Sequence, residues 1–578
     1  MKSLVVAILV CLVQLAATSQ TIPPIEAYGS KPLIRSMEIS PDGQQILYLL
    51  EEEDRQTFVS HSISDSQKNL LMADATDIKA HSAYFATDSI AILSASRTTS
   101  LWGFKGRLEY GGAFSINLKT GRIVQLLSRD ENVYPGQSGI GRVIGIDGAN
   151  SIAYMPAFAG PAYSRDPAYS LFKVNLNRYN GRVMARGVNA TKDWIVGDDG
   201  RILAREDFDG GDKYYRIKTR KNGSWETVFE DNNTERPPFW IVGVKSDESA
   251  LIINRQFEED GGEALYTLSY DGVESEELFF EEGLEIDGVL TDRNRKVFGV
   301  RYSGMVPSYA FFDPEIDAAF EALFADFPFY NIRIRSWSDD WARVIISISG
   351  GQYKGNYFLF ETETGALTEI GDPRPSIPED ALGVAQAIKY KARDGLEINA
   401  ILTWPPERLG EQRLPLIVLP HGGPHAYNQI GFNWLSQFFA NRGYLVLQPN
   451  FRGSTGFGAD FMERGYGEWG GKMQDDVTDG VNALIASGMA DPDRACIAGS
   501  SYGGYAALAG GAFTPELYKC VISIAGVADL HREGENEAEK FGKDSEVYRN
   551  WSRTMGNLMK NRSLMRDRSP VHSGASFQ

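Results

Sequence analysis

Cysteine, histidine and positive charge are scarce in this 578-residue chain, and each shortage excludes a class of protein. The net charge of −18 argues against nucleic acid or an anionic membrane as the partner. Six scattered histidines form no metal-ligand motif, so we expect neither a metal nor a cofactor. Three cysteines are too few for a disulfide scaffold. We therefore predict that Cys496 and Cys520 are free thiols in core strands.

Long hydrophobic runs are absent except at the N-terminus. Residues 1–19 combine Lys2, an apolar run from Leu4 to Leu15 and a small-residue zone at 16–19, which is the pattern of a secretory signal peptide. The apolar run is too short to span a membrane. These features predict a secreted or periplasmic protein that keeps no membrane segment once the signal is cleaved.

The length of the chain predicts at least two domains, because 578 residues exceed the size of a single core. Between residues 25 and 375, a turn containing Asp recurs about every 50 residues, and an apolar strand follows each turn. The seven turns carry Asp42, Asp88, Asp147, Asp199, Asp247, Asp292 and Asp339. Units of this period predict a seven-bladed β-propeller, in which each Asp side chain forms an Asx-turn that starts a hairpin.

The pattern changes at residues 371–380, GDPRPSIPED, where three prolines disfavour both helix and strand and indicate a linker. From residue 376 to 578, apolar strands such as LPLIVLP alternate with helical segments. One of these segments is amphipathic through Met473, Val477 and Val481. The alternation predicts a second domain built on a parallel α/β sheet with flanking helices.

Residues 499–504, GSSYGG, follow an apolar strand and open a helix of small residues. This context is that of a nucleophile elbow in an α/β-hydrolase, with Ser501 as the candidate nucleophile. Gly499 and Gly503 would keep the sharp turn free of side chains and leave the Ser501 hydroxyl exposed. The alternative is a glycine-rich strand-to-helix turn without chemistry.

The sequence His421-Gly422-Gly423-Pro424 directly follows the strand LPLIVLP, where an α/β-hydrolase places one donor of its oxyanion hole. We assign the two donors to the backbone N–H groups of Gly423 and Tyr502. Because His421 precedes Ser501 in the chain, we predict that its imidazole braces the loop and is not the catalytic base.

A serine nucleophile also needs a histidine base and an orienting carboxylate. Only His531 and His572 follow Ser501, and the acids between Ser501 and His531 include Glu516 and Asp529. His531 follows a predicted strand too closely, and His572 has no strand before it. Neither histidine therefore fits the position of a triad base.

The motifs YKARDGLEI, HGGPH, NFRGSTGFG, EWGGKMQDDV, DPDRACIAGSSYGGYAAL and IAGVADL resemble the prolyl oligopeptidase family of serine peptidases, in particular its acylaminoacyl-peptidase and dipeptidyl-peptidase branch. The resemblance is dense over residues 388–530 and only architectural over the propeller. It implies Ser501 as the acyl-enzyme nucleophile, Gly423 and Tyr502 as oxyanion donors, and a propeller that restricts access to short peptides.

In that family, the segment after SPVH continues into a strand, an acidic loop and the catalytic histidine, none of which precedes Gln578. The resemblance therefore implies that the triad Asp and His are missing from this chain and that the hydrolase domain lacks its C-terminal strands. The strand KCVISIAGV would then be an exposed hydrophobic edge. We expect a serine peptidase acting on short peptides; the alternatives are a catalytically inactive remnant whose propeller is a binding module, or an esterase.

Overall fold

A computed structural model describes residues 22–100, 106–128, 130–221, 223–256, 263–543, 545–556 and 561–576. The predicted signal peptide, residues 1–19, lies outside the described residues. Among the helices of the described ranges, none is both long enough and apolar enough to cross a membrane.

Seven antiparallel sheets follow one another along the chain, which confirms the predicted seven-bladed propeller. Six blades have four strands in the described residues, and the sixth blade has three. The strands, blade by blade, are β1 (Ile34–Ile39), β2 (Gln45–Glu52), β3 (Arg55–Ser62) and β4 (Leu71–Asp74); β5 (Lys79–Thr87), β6 (Ile90–Thr99), β7 (Leu108–Asn117) and β8 (Ile123–Gln125); β9 (Gly145–Asp147), β10 (Ile152–Ala159), β11 (Ala168–Asn175) and β12 (Gly181–Ala185); β13 (Thr191–Val196), β14 (Ile202–Asp209), β15 (Tyr214–Lys221) and β16 (Ser224–Asp231); β17 (Phe239–Val244), β18 (Leu251–Gln256), β19 (Glu263–Leu268) and β20 (Glu274–Phe279); β21 (Ile286–Thr291), β22 (Val297–Tyr302) and β23 (Ser308–Phe311); β24 (Asn331–Trp337), β25 (Arg343–Gly350), β26 (Tyr353–Glu361) and β27 (Ala366–Gly371).

Each predicted Asp lies where the first strand of a blade turns into the second. The Asx-turn prediction agrees with the hydrogen bonds at Asp42, Asp199, Asp247 and Asp292, whose carboxylates accept from the backbone N–H two residues further on. Asp147 accepts from the N–H three residues on. The prediction is wrong for two residues. Asp88 accepts from the Asp42 N–H of the neighbouring blade, at 2.9 Å. In the seventh blade, Asp340 accepts the turn N–H in place of Asp339.

The second domain is built around one six-stranded sheet with the order β28-β29-β31-β30-β32-β33. Its first two pairs of neighbours, β28–β29 and β29–β31, are antiparallel, and the other three pairs are parallel. The sheet is therefore mixed, whereas the sequence predicted a parallel one. Its strands are β28 (Ala385–Lys391), β29 (Glu397–Thr403), β30 (Leu414–Val418), β31 (Leu445–Asn450), β32 (Ala490–Ser500) and β33 (Cys520–Ile524).

The described α-helices include two in the N-terminal region and seven that belong to the second domain: α1 (Ile25–Gly29), α2 (Pro314–Asp326), α3 (Trp434–Asn441), α4 (Ala459–Glu463), α5 (Lys472–Ala486), α6 (Tyr502–Phe513), α7 (Leu530–Phe541), α8 (Glu546–Met555) and α9 (Arg562–Asp567). Short 3-10 helices cover Glu379–Ala381 and Pro570–Ser576. The predicted amphipathic helix is α5, which buries Met473, Val477 and Val481 in the core of the domain.

The core of the second domain lies on both faces of its central strands, β30 and β31. All six residues of β31 are buried, and Leu414, Leu416 and Val418 of β30 are fully buried. A strand buried on both faces requires a continuous apolar run, which is what the sequence LPLIV provides.

The two domains meet at the ends of blades six and seven. The backbone N–H of Ile430 donates to Met305 O at 2.8 Å, and the N–H of Phe432 donates to Ser349 Oγ at 2.6 Å. The short helix α1 packs against α3, where Tyr28 joins a buried cluster with Phe438. These contacts hold the propeller over the carboxyl-terminal edge of the hydrolase strands.

Cys496 and Cys520 form a disulfide, so the prediction of free thiols is wrong. The two residues are register partners on the neighbouring parallel strands β32 and β33, with their Cα atoms 4.8 Å apart. The sequence predicted both strands but did not show that they were neighbours. The crosslink ties the strand that leads into Ser501 to the edge of the sheet.

Strand β33 is the outermost strand of the sheet in the described part of the chain. Ile522 and Ile524 are 42% and 50% exposed, a high value for isoleucines in a strand. The sequence predicted this hydrophobic edge, and edges of this kind template association with other chains.

Reduction of the Cys496–Cys520 disulfide is expected to lower the free energy of unfolding by about 3 kcal/mol, because the crosslink closes a loop of 24 residues. Urea unfolding with and without a reductant measures this difference. A Cys496→Ser/Cys520→Ser double variant should resemble the reduced protein and show no response to the reductant. Non-reducing peptide mapping that recovers both cysteines as free thiols would contradict the pairing.

Candidate active site

Ser501 lies on the turn between β32 and α6, with its backbone in the left-handed region (φ 56°, ψ −120°). A non-glycine residue with this φ is uncommon and carries a strain cost of about 1–3 kcal/mol. The Ser501 N–H donates to Ile524 O at 3.0 Å, and its carbonyl accepts from the Tyr505 N–H at 3.0 Å. The turn is thus held by β33 on one side and α6 on the other, and the serine side chain is exposed.

The glycines around the turn allow three backbone segments to touch. A Cβ atom at Gly503 would lie 2.2 Å from Pro420 O, and one at Gly499 would lie 2.3 Å from Gly503 O. A Cβ at Gly504 would lie 2.8 Å from the Cα of Gly526, in the loop after β33. No side chain fits at such distances, so the elbow requires glycine at these positions.

The loop after β30 lies directly against Ser501. An ideal Cβ at Gly422 would be 3.6 Å from Ser501 Cβ. Gly423 has a φ of +124°, a value that favours glycine. In the described part of the chain, neither the Gly423 N–H nor the Tyr502 N–H donates a hydrogen bond. Two unused backbone donors therefore accompany the exposed hydroxyl, as an oxyanion hole requires.

His421 is braced through both of its ring nitrogens. Nδ1 lies 2.8 Å from Gly422 O, and Nε2 lies 2.9 Å from Ser454 Oγ. Burial lowers the pKa of His421 to about 4, so the ring is neutral near pH 7. Because a carbonyl oxygen can only accept, Nδ1 carries the proton of the neutral ring. The single proton of the Ser454 hydroxyl is shared between His421 Nε2 and Phe451 O, which lies 2.6 Å from Ser454 Oγ. This geometry supports the predicted bracing role, which leaves His421 no free nitrogen for a proton from Ser501.

A buried ion-pair network anchors the segment that supports His421. Arg452, directly after β31, donates from Nη2 to Asp476 Oδ1 at 2.7 Å and from Nη1 to Asp394 Oδ2 at 2.8 Å. Asp476 is fully buried on α5. The neighbouring Phe451 ring stacks under His421, with the ring centroids 4.4 Å apart. Sequence reasoning missed this support, although NFRGSTGFG was among the motifs that carried the family resemblance.

The remaining histidines and acids do not complete a triad in the described part of the chain. His531 lies on α7, with Nδ1 3.6 Å from Glu535 Oε2, and His572 is exposed on the last 3-10 helix. Asp529 caps α7 by accepting from the Arg532 N–H at 3.1 Å. Glu516 is exposed in the loop after α6.

The hydroxyl of Ser501 makes no hydrogen bond to an imidazole or a carboxylate within the described ranges. The same residues hold no group of three or more His, Cys, Asp or Glu side chains that could bind a metal ion. The site therefore brings an exposed serine hydroxyl next to two unused backbone donors.

Residues 430–576 match the model of the prolyl oligopeptidase family. The chain is 27% identical over 525 residues to dipeptidyl aminopeptidase BIII of Pseudoxanthomonas mexicana, which covers 88% of this chain and 72% of that protein. It is 27% identical over 376 residues to dipeptidyl peptidase family member 6 of Caenorhabditis elegans, which covers 57% of this chain and 48% of that protein. The chain thus spans about half the length of the second relative.

The fold is also similar to that of a puromycin-hydrolyzing peptidase of Mycobacterium tuberculosis. The TM-score is 0.68 at 16% sequence identity, over 96% of this chain and 86% of that one. At this identity, the similarity supports the fold alone.

The lowered pKa of His421 predicts a loss of stability on acidification. Between pH 6.5 and about 4, the unfolded state binds a proton that the folded state excludes, so the free energy of unfolding falls as the pH falls through this window. The contribution of His421 to this fall is about 3 kcal/mol. Urea unfolding at several pH values should show a shallower dependence for His421→Gln. His572→Gln controls for the removal of an exposed imidazole; equal slopes for His421→Gln and the unchanged protein would contradict the assignment.

Proposed function

The chain carries a domain of the prolyl oligopeptidase family, a family of serine peptidases, and on this premise we propose that it hydrolyses short peptides through an acyl-enzyme at Ser501. One observation carries the proposal: the exposed Ser501 hydroxyl stands on a left-handed turn beside two backbone N–H groups that donate to no other atom in the described residues. Such an arrangement fits acyl transfer better than a structural glycine-rich turn does.

In the proposed reaction, Ser501 Oγ attacks the carbonyl carbon of the scissile peptide bond. The resulting oxyanion accepts hydrogen bonds from the Gly423 and Tyr502 N–H groups, each of which stabilises the transition state by about 3 kcal/mol. Cleavage of the C–N bond then releases the amine, whose nitrogen takes up the proton that Ser501 lost, and leaves an ester on Ser501. Water hydrolyses this ester to the acid and restores the serine hydroxyl. The proton of Ser501 needs an acceptor, and His421 cannot serve because both of its nitrogens are occupied.

A second candidate, a catalytically inactive protein whose propeller binds peptides, is favoured by one observation. No imidazole of the described residues makes a hydrogen bond to the Ser501 hydroxyl. Without a base, the oxyanion donors and substrate binding still leave an acceleration over water on the order of 10³-fold. An active peptidase would therefore hydrolyse peptides much faster than the inactive binding module, and this difference in rate can be measured.

We also propose that the protein is secreted or periplasmic. The composition of residues 1–19 supports this localisation, since a basic start, an apolar run and a small-residue zone follow in the order of a signal peptide.

Ser501 is expected to react with a fluorophosphonate probe, and the added mass should map to the peptide that contains this residue. Ser501→Ala should abolish labelling, whereas Ser500→Ala, which removes the exposed hydroxyl next to it, should not. Added imidazole should accelerate labelling, because the described residues bring no imidazole of their own to Ser501. Absence of labelling with and without imidazole would favour the inactive binding module.

The substrate class is tested with a panel of aminoacyl-naphthylamides and short-chain p-nitrophenyl esters. We expect turnover of the naphthylamides, and loss of this turnover in Ser501→Ala. Exclusive turnover of the esters would instead identify an esterase, since an elbow and an oxyanion loop serve both bond types.

A further inference from the structure

The propeller has a central tunnel with two different mouths. The first strand of a blade contacts the first strands of its neighbours, as β1 contacts both β24 and β5, and these strands therefore form the inner wall. Strand β24 starts at Asn331, whose side chain reaches Gln429 of the hydrolase domain, and strand β21 starts after Glu285, which accepts from the Gly458 N–H at 3.1 Å. Both strands end at the Asp-bearing turns. These turns thus surround the mouth that faces away from Ser501, which we call the far mouth.

One of these turns, residues 292–296 of the sixth blade, reaches across the far mouth. The Arg293 guanidinium donates to Phe85 O of the second blade at 3.2 Å. The Asn294 side chain accepts from the Ile146 N–H of the third blade at 2.6 Å. These contacts place the turn between the tunnel and a groove of about 710 Å³ on the outer surface of the mouth.

On the inner side of this turn lies a cavity of about 410 Å³, which we call the tunnel chamber. Its wall is partly apolar and aromatic and includes Ile39, Tyr84, Phe85 and Trp337. Its charged residues are four arginines, Arg142, Arg293, Arg295 and Arg335, and three acids, Glu38, Asp292 and Asp339. The chamber therefore combines an apolar wall with an excess of cationic groups.

Three of the four arginines have carboxylate partners. Arg142 and Arg295 share Asp193, at 2.8 Å and 2.6 Å, and Arg293 pairs with Asp339. The positive charges of these three arginines are largely neutralised by their partners and are not available to a ligand.

Arg335 differs, because no carboxylate lies within ion-pair distance of it in the described residues. Its Nε donates to Ser347 Oγ at 2.8 Å, and its two terminal nitrogens donate to no protein atom in those ranges. The side chain is exposed and lines the chamber. Desolvation, together with the nearby Arg333 and Arg301, lowers the pKa of Arg335. A guanidinium in this setting is stabilised by an anion, which its planar fork binds in a bidentate manner.

Glu38 does not supply that anion. Burial raises the pKa of Glu38 to about 8, although Ser336, Arg293 and Arg335 act in the opposite direction. Near pH 7 the carboxyl group is therefore mainly protonated and is a hydrogen-bond donor. Glu38 and Arg335 thus present two donors to the same chamber.

We propose that the tunnel chamber binds a small organic carboxylate, with its carboxylate on Arg335 and its apolar or aromatic body against Trp337 and Tyr84. This site is distinct from Ser501 and lies toward the opposite mouth of the propeller. The proposal does not rest on the peptidase function, since it concerns residues of the propeller alone.

Isothermal titration of the full chain with N-acetyl-L-phenylalanine tests the site against its neutral match, N-acetyl-L-phenylalaninamide. We expect the acid to bind at least about tenfold more tightly than the amide, and Arg335→Gln to remove this difference. Arg335→Lys keeps the cation but loses the planar fork, so it should bind the acid more weakly than the unchanged protein does. Glu38→Gln keeps a hydrogen-bond donor and should retain most of the binding. Arg122→Gln, an exposed arginine beside the edge strand of the second blade, controls for loss of charge.

The acid should bind Ser501→Ala as tightly as the unchanged protein, which separates the chamber from the candidate active site. Equal affinities for the acid and the amide, or an unchanged affinity in a folded Arg335→Gln variant, would overturn the proposal. If Arg335→Gln does not fold, an affinity for the acid that is unchanged in a folded Arg335→Lys variant would overturn the proposal.

Discussion

The hydrolase domain depends on a close approach of three backbone segments around Ser501. The start of α6 touches the loop after β30 at Gly503 and Pro420, and touches the loop after β33 at Gly504 and Gly526. Because no Cβ atom separates these segments, the serine sits at the meeting point of three strands of the sheet. The same approach brings Gly422 against Ser501 and thereby sets the unused backbone donors beside its hydroxyl.

Polar contacts then keep the loop after β30 in this position. The neutral His421 ring bridges the Gly422 carbonyl and the Ser454 hydroxyl. Arg452, two residues before Ser454, binds Asp476 in the core and so holds this segment in place. A buried charge pair is costly unless its hydrogen bonds are satisfied. Here Arg452 also binds Asp394, so the network reaches from the first hairpin of the domain to the loop after β30.

The propeller uses its Asp-bearing turns for more than starting hairpins. Asp88 binds the backbone of the neighbouring blade, and the turn at 292–296 spans the far mouth of the tunnel. A ring of seven sheets brings turns from distant parts of the sequence to one mouth. Contacts between blades therefore form at this mouth that no single repeat predicts. Among the four arginines of the tunnel chamber, Arg335 alone has no carboxylate partner in the described residues.

The sequence alone determined the features that depend on local chemistry. Seven Asp turns predicted seven blades, the period of Met473, Val477 and Val481 predicted α5, and GSSYGG predicted the sharp strand-to-helix turn at Ser501. These patterns reflect backbone preferences and burial within a short stretch. The tertiary structure decided which strands became neighbours. It paired Cys496 with Cys520, placed Arg452 on Asp476, and gathered Arg335 and Glu38 in one cavity. Such contacts join residues distant in the sequence, and they follow from how the strands pack together, which local periodicity does not specify.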